Sequence, residues 1–213
     1  MRLPIMPGSE KYYWSGTHEG HVQEALAREL SAGMCFWDVG AHIGFFSCMA
    51  SKLVGPQGQV ISFEPMPETR ARLRRSIDLN HLENVLVEEA ALADISGIRT
   101  LSPPKPFDPS HDERANSLTP MWTVVSGKGE PGGFEVRCAR IDDLVGTVSS
   151  PDLIKIDAEG AELEVLSGAM GLLSRRQTKV IIEMSDEDST ARGRKLLPDH
   201  RFEHLGANHW LIS

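Results

Sequence analysis

Short apolar runs alternate along the chain with segments in which apolar residues recur at helical spacing. The apolar runs predict strands at 35–39, 59–63, 84–87, 153–157 and 180–184. The helical pattern predicts helices at 22–30, 43–54, 67–80, 161–173 and 190–197. Because strands alternate with helices, the sequence predicts a parallel sheet that is covered by helices on both faces.

The last part of the chain departs from this alternation. Gly206, Ala207 and Asn208 separate two short apolar segments, 202–205 and 209–212, which is a hairpin signal. We therefore expect an α/β, Rossmann-like, doubly wound sheet of mostly parallel strands that ends in an antiparallel hairpin. Sheets that bind dinucleotides usually continue in parallel, so the hairpin favours a different cofactor.

The segment 96–137 has a different composition from the rest of the chain. It contains six of the 13 prolines and several glycines, which is typical of extended strands and loops. We interpret 1–213 as a single domain in which 1–20 form an N-terminal cover and 96–137 form an insertion over the site. Within the insertion, Asn116 and Ser117 could meet substrate hydroxyl groups.

Overall charge and cysteine content exclude several classes of function. The formal net charge of −8 argues against a surface that binds nucleic acid. The sequence shows neither a membrane span nor a signal peptide, so we expect no membrane partner. Cys35, Cys48 and Cys138 share no metal-ligand spacing, and a reducing cytoplasm suits them best. The sequence leaves the oligomeric state open.

A glycine-rich turn follows the first predicted strand. Asp38 ends the strand, Gly40 and Gly44 follow, and Glu64 lies 20 positions beyond Gly44 at the end of the second strand. This arrangement is typical of sheets that hold the adenosine half of a cofactor. A dinucleotide fingerprint also requires glycine at the third position, where this chain has His42, so the close approach to a pyrophosphate is missing.

S-adenosylmethionine fits these residues better because it carries no phosphate. Its ammonium group would lie near Asp38, and backbone N–H groups at the next helix start would take its carboxylate. Glu64 would accept hydrogen bonds from both ribose hydroxyls, and small residues after the third strand would leave room for adenine. The predicted cofactor-binding residues from these segments are Asp38, Gly40, Ala41, His42, Gly44, Glu64, Pro65, Glu89, Ala90 and Ala91.

A second group of charged residues surrounds the end of the fourth predicted strand. Lys155 lies within this apolar strand and should have a charged partner, for which Asp157, Glu159 and Glu183 are candidates. Strand ends line the ligand cleft in such sheets, so Asp157 and Glu159 are the first candidates for the base. We assign Lys155, Asp157, Glu159 and Glu183 to catalysis and add Asp157 to the cofactor contacts. Three of these carboxylates could hold Mg²⁺, but Lys155 among them argues against it, so we expect no metal.

Histidines and an aromatic run lie outside these motifs. His18 and His21 could act as the base, although surface histidines without a role are the commoner case. His209 starts the second strand of the hairpin, and we place it far from the strand ends and assign it no role. Tyr12, Tyr13 and Trp14 either form a substrate lid or anchor the N-terminal segment.

Five segments together resemble the FkbM family of S-adenosylmethionine-dependent methyltransferases. These segments are 36–47, 63–65, 141–144, 153–168 and 181–183. The resemblance implies a class I methyltransferase fold with seven strands, and O-methylation of hydroxyls on polyketides, sugars or related metabolites. It also implies that Asp38, Gly40 and Glu64 bind the cofactor. Glu19 resembles a family glutamate that could close over the cofactor's amino-acid end.

Three functions remain possible at the level of sequence. The first is an O-methyltransferase that acts on a small hydroxylated metabolite, although nothing here separates oxygen from nitrogen acceptors. The second is an S-adenosylmethionine-binding module without catalysis. The third is an NAD-dependent oxidoreductase, against which His42 and the terminal hairpin both argue.

Overall fold

The computed structural model describes residues 1–4, 11–102, 123–125 and 133–213. Asn116 and Ser117, which the sequence offered as substrate contacts, lie outside the described residues. None of the helices in the described ranges has the length and apolar character needed to cross a bilayer.

The main sheet has seven strands, and its order confirms the predicted topology. From one edge to the other they are β10 (Phe202–Gly206), β11 (His209–Ile212), β9 (Lys179–Glu183), β8 (Leu153–Ile156), β1 (Cys35–Val39), β2 (Gln59–Phe63) and β3 (Val85–Glu88). Strands β3, β2, β1, β8 and β9 pair in parallel. The hairpin of β10 and β11 is antiparallel, and β11 also runs antiparallel to β9.

Helices cover both faces of this sheet, which explains why its central strands are continuous apolar runs. Side chains alternate between the faces, so Trp37 and Phe36 belong to two different apolar clusters. The helices are α1 (Lys11–Ser15), α2 (Gly20–Glu29), α3 (Phe45–Val54), α4 (Pro67–Asn80), α5 (Ile141–Leu144), α6 (Glu162–Ser167), α7 (Met170–Leu173) and α8 (Glu187–Leu196).

The single helix predicted for 161–173 is wrong, because the structure divides it into α6 and α7. At Gly168 the chain approaches Ala93 so closely that an added Cβ would lie 2.1 Å from the carbonyl oxygen. The Asp142 carboxylate then accepts the N–H groups of Gly171 and Leu172 at 2.9 and 2.8 Å. A distant carboxylate therefore satisfies the start of α7, as an N-cap residue would.

Part of the proline-rich segment forms a second sheet. Its order is β4 (Ala91–Leu92), β7 (Phe134–Ala139), β5 (Gly97–Ser102) and β6 (Thr123–Val125). The expectation of extended strands is confirmed for these residues. The position of the insertion over the site stays a prediction, as does the division of the chain into domains.

Candidate active site

Lys155 is a buried cation close to the edge at which the parallel strands end, called here the carboxyl edge. It pairs in register with Asp38 on the neighbouring strand, and its side chain is only 2% exposed. Its ammonium donates to Asp157 Oδ2 at 2.9 Å, so one of the three predicted partners is confirmed. Burial alone would lower the pKa of Lys155, but the charges of Asp157 and Asp38 raise it above its usual range.

Asp157 and Glu183 form a carboxyl pair beside this ammonium. Burial favours the neutral form of Asp157, but Lys155 outweighs it and holds the pKa of that carboxyl below its usual range. Burial and the Asp157 charge raise the pKa of Glu183 to about 8. Oxygens of the two carboxyl groups lie within 4.8 Å of each other, and the charge of Asp157 disfavours a second charge beside it, so the pair carries one proton and one negative charge near neutral pH.

Glu159 and Glu162 lie in the turn that follows β8. Glu159 is exposed with a left-handed backbone, φ 53°, and its charge contributes to the raised pKa of Glu183. Glu162 accepts the N–H groups of Ala158 and Gly160 at 2.9 Å, which explains its place at the start of α6. Oxygens of Asp157, Glu162 and Glu183 lie within 4.8 Å of one another. The absence of a metal stays a prediction.

The glycine turn, residues 38–44, lies directly against the end of β8. Gly40 has φ +76°, and an added Cβ would lie 1.8 Å from the carbonyl oxygen of Asp157. Gly44 has φ +85° and approaches the Leu73 side chain on α4. Ala41 is buried, and the N–H groups of Gly40 and Ala41 both donate to Phe63 at 3.1 Å. The turn therefore requires glycine at Gly40 for both conformation and space.

Glu64 lies at the end of β2, beside the glycine turn, as the sequence predicted. One carboxylate oxygen accepts the His42 N–H at 2.9 Å, and the other accepts the Met66 N–H at 2.9 Å. Burial raises the pKa of Glu64 to about 7 despite these two hydrogen bonds. A carboxylate has about four acceptor positions, so this one retains the capacity for two more donors.

Asp38 presents an open acceptor in the same region. Its Oδ2 accepts from the Ser47 hydroxyl at 2.5 Å, and burial raises its pKa. Its Oδ1 is buried and finds no hydrogen-bond partner among the residues that the structure describes. A cofactor that carries a cationic end and a ribose diol fits this set of acceptors, because it would supply donors to Asp38 and Glu64.

The residues predicted to surround adenine differ in burial. The Glu89 side chain is 66% exposed and lies 3.4 Å from Arg70 and 3.7 Å from Arg74. Ala90 and Ala91 are buried in two different apolar clusters. Pro65 is partly buried, and its carbonyl accepts from Arg70 at 2.8 Å. The adenine role of Glu89, Ala90 and Ala91 stays a prediction.

The N-terminal segment reaches the glycine turn through its aromatic residues. The Tyr13 hydroxyl lies 3.2 Å from His42 Nδ1, and the Tyr13 ring contacts the rings of His18 and Phe45. Tyr13 is partly buried against the apolar cluster that contains α2 and α3. These contacts favour the anchor interpretation for Tyr13, and they tie His42 to the segment before α2.

His209 is a residue that the sequence interpretation placed wrongly. Because β11 runs antiparallel to β9, its first residue lies at the carboxyl edge, where His209 pairs with Glu183. The His209 side chain is buried, and its Nε2 lies 3.5 Å from Glu19 Oε2. The predicted hairpin contained this signal, since an antiparallel last strand must start where its parallel neighbours end.

Strand order, glycine turn and strand-end carboxylates together define the class I methyltransferase fold. A sequence model of the methyltransferase FkbM domain matches residues 38–204. The chain belongs to the FkbM methyltransferase family.

Two relatives of this chain are described as methyltransferases. A hexuronic acid methyltransferase of Haloferax volcanii is 31% identical over 157 residues, which cover 73% of this chain and 58% of that protein. Methyltransferase 1 of Beauveria bassiana is 28% identical over 141 residues, which cover 62% of this chain and 56% of that protein. The chain therefore spans less than three fifths of either relative.

Solved structures agree on the fold. An FkbM methyltransferase from Methylobacillus flagellatus superposes with a TM-score of 0.56 at 16% identity, covering 95% of this chain and 60% of that one. Fibrillarin from Aeropyrum pernix, solved with bound S-adenosyl-L-methionine, gives 0.53 at 12% identity, covering 89% and 73%. At these identities the likeness supports the fold alone.

Proposed function

We propose that this chain transfers a methyl group from S-adenosylmethionine to a hydroxyl group of a small metabolite. The observation that carries the proposal is the pair of open acceptors at the carboxyl edge, Asp38 Oδ1 and the remaining positions on Glu64. They match a ligand with a cationic amino-acid end and a ribose diol. The family membership gives independent support.

The cofactor, when bound, supplies an electrophilic methyl group. Asp38 would hold its ammonium end, and Glu64 would hold its ribose, with the glycine turn between them. Gly40 brings this turn into contact with the backbone of Asp157, so the two halves of the site are fixed relative to each other. Such fixed positioning is a large part of the acceleration available to a displacement reaction.

The Asp157–Glu183 pair is the proposed acceptor for the hydroxyl proton. Near neutral pH the pair already holds one proton, and Lys155 makes Asp157 a weak base. Loss of the proton from Glu183 would leave two negative charges, and such a pair accepts a proton far more readily. Lys155 would act by orienting Asp157 and limiting the repulsion between the carboxylates.

A small polar acceptor fits the cleft beside this pair. The cleft lies where β9 ends and where α6 and α8 begin, and its lining includes Glu162, Glu183, Asp186, Asp188 and Arg192. Hydroxyl-rich molecules such as sugars are well matched to carboxylate acceptors. The relative named as a hexuronic acid methyltransferase supports a sugar-derived acceptor.

The test is transfer of an isotope-labelled methyl group to a panel of sugars, uronic acids, polyketide alcohols and matched amines. We expect label on a hydroxyl oxygen, and we expect Asp157→Asn to lower kcat by about a hundredfold or more. Asp199→Asn, at an exposed residue near Arg176, is the matched control and should be neutral. Label on nitrogen would overturn the choice of acceptor, and cofactor binding without any transfer would favour a non-catalytic module.

A further inference from the structure

Two buried polar atoms face each other in the N-terminal part of the site. Glu19 Oε2 and His209 Nε2 lie 3.5 Å apart. Neither atom has a hydrogen-bond partner within the described part of the chain, and both are shielded from solvent. Unsatisfied buried polar groups are rare and indicate a functional demand or an absent ligand. Glu19 is also held in a left-handed conformation, φ 45°, which non-glycine residues seldom adopt.

His209 connects this pair to the surface through a second histidine. Its Nδ1 lies 3.0 Å from His21 Nε2. His21 is partly exposed and lies at the start of α2, against the turn at Gly206. A neutral imidazole donates from one nitrogen and accepts at the other, so His209 can take a proton on Nε2 while it gives one up from Nδ1.

Between Glu19 and His209, burial and the surrounding charges favour the proton on Glu19. Burial raises the pKa of Glu19 to about 7, and burial together with Lys155 lowers the pKa of His209 to about 4. Near neutral pH, Glu19 is thus partly protonated and His209 is neutral. The other charged and titratable groups that face the pair are His18, His21, Asp38, Asp157 and the register neighbour Glu183.

We propose that Glu19, His209 and His21 form a proton relay between the site and solvent, and that a cationic ligand drives one proton outward along it. The proposal rests on the proposed function, because the cation is the sulfonium of the cofactor. The Glu19 carboxyl gives its proton to His209 Nε2, and the Nδ1 proton of His209 passes to His21 Nε2. His21 then loses a proton from Nδ1 to water. Both histidines are then neutral again, each in its Nε2–H tautomer, and Glu19 is left as a carboxylate that faces the cation and His209 Nε2–H.

The equilibrium part of the proposal is tested by counting protons. Calorimetry in two buffers of different ionisation enthalpy measures the protons released when S-adenosylmethionine, or S-adenosylhomocysteine, which lacks the sulfonium charge, binds to the full chain. Because Glu64 also has a pKa of about 7 and meets the ribose of either ligand, the difference between the two ligands reports on Glu19. We expect S-adenosylmethionine to release about half a proton more than S-adenosylhomocysteine near pH 7, a difference that falls toward zero above about pH 9, where Glu19 is already ionised. S-adenosylhomocysteine should release markedly less, and Glu19→Gln should abolish the difference between the two ligands.

The kinetic part of the proposal is tested by measuring the rate of proton release. In weakly buffered stopped-flow with a pH indicator, we expect proton release to accompany binding in the wild type and to lag about tenfold or more in His209→Gln and His21→Gln. His204→Gln is the matched control, because this exposed histidine lies on the neighbouring strand and contacts the Ala207 carbonyl and the Trp210 ring rather than the relay residues. Circular dichroism establishes that each variant is folded, and the partly exposed His21 provides a second variant if His209→Gln does not fold.

Three results would overturn the relay. Binding of S-adenosylmethionine with no more proton release than S-adenosylhomocysteine would show that the cation does not ionise Glu19. Equal release rates in the wild type, His21→Gln and His209→Gln would show that the proton leaves by another route. Failure of both ligands to bind would contradict the proposed function as well, and is thereby distinguishable from failure of the relay alone.

Discussion

At the scale of single residues, the ammonium of Lys155 balances the carboxylates that converge on the carboxyl edge. It lies within hydrogen-bond distance of Asp157 and 4.9 Å from the centre of the Phe46 ring. A charge so deeply buried is tolerated only with partners, and removal of one partner leaves the other uncompensated. Sequence alone predicted that Lys155 needed a partner, but it could not choose among three carboxylates, since their distances depend on the turn after β8.

Replacement of this ammonium should be costly to stability. We expect Lys155→Met to lower the free energy of unfolding by about 3 kcal/mol or more, because the buried carboxylates lose their cation. Lys179→Met is the control, since Lys179, which pairs with Glu29 at 2.7 Å, is half-exposed and should contribute under about 1 kcal/mol. Urea denaturation measures both.

The loss should also depend on pH. The raised pKa of Lys155 stabilises the fold below the unfolded lysine value and fails only as the pH rises through the folded value. The lowered pKa of Asp157 stabilises the fold above the unfolded aspartate value and fails as the pH falls through the folded value. The difference between wild type and Lys155→Met should thus be largest from about pH 5 to about pH 9. A constant difference down to strongly acidic pH would contradict this assignment.

Glu183 should titrate as an unusually weak acid. Burial and the neighbouring charge of Asp157 raise its pKa to about 8, so its carboxyl is neutral at pH 6 and ionised at pH 9. Carbon-13 NMR of labelled glutamate side chains should show a titration near pH 8, later than those of Glu19 and Glu64 near pH 7, which is absent in Glu183→Gln and retained in the exposed control Glu187→Gln. If the pair accepts the substrate proton, kcat rises through the same pH range. A kcat that does not change over this pH range would show that Glu183 takes no part in accepting the substrate proton.

At the scale of elements, the glycine turn links the two halves of the site. Its backbone crosses the end of β8 so closely that no side chain fits at Gly40, and this contact fixes Asp38 relative to Asp157. The sequence indicated the turn because glycine spacing is local. It did not indicate the break between α6 and α7, since that depends on Asp142, which lies 29 residues before Gly171.

A methyl group at Gly40 should separate these two halves. We expect Gly40→Ala to cost several kcal/mol in unfolding free energy or to prevent folding, because it combines a positive φ with a clash against backbone. Gly16→Ala is the matched control: it has a similar φ of +71° but open space around the added Cβ, so about 1 kcal/mol of strain is expected. Thermal and urea unfolding compare the two. Equal effects would mean that the contact with Asp157 does not matter.

The antiparallel hairpin was predicted, but its effect on the position of His209 was not. Its turn and its two strands were predicted from Gly206–Asn208, and the structure confirms them. The error lay in direction: the start of β11 was placed away from the strand ends, although it lies beside Glu183. His209 therefore belongs to the site through topology, which no local pattern around it reveals.

At the scale of the whole molecule, the order of the main sheet follows from alternating local patterns, and it was largely predictable. The second sheet was not, because β5 and β7 pair across a long intervening segment and β4 is only two residues long. The candidate site depends mostly on the first sheet. Its residues Asp38, Glu64, Lys155 and Asp157 stand where strand ends put them.

The most direct test of the central claim compares two ligands on the purified chain by calorimetry. We predict that S-adenosylhomocysteine binds and NAD⁺ does not, and that Glu64→Gln weakens binding by about tenfold or more through loss of charged hydrogen bonds to the ribose. Glu68→Gln, an exposed residue on the first turn of α4, should bind as the wild type does. Binding of NAD⁺ with no response to S-adenosylhomocysteine would contradict the account.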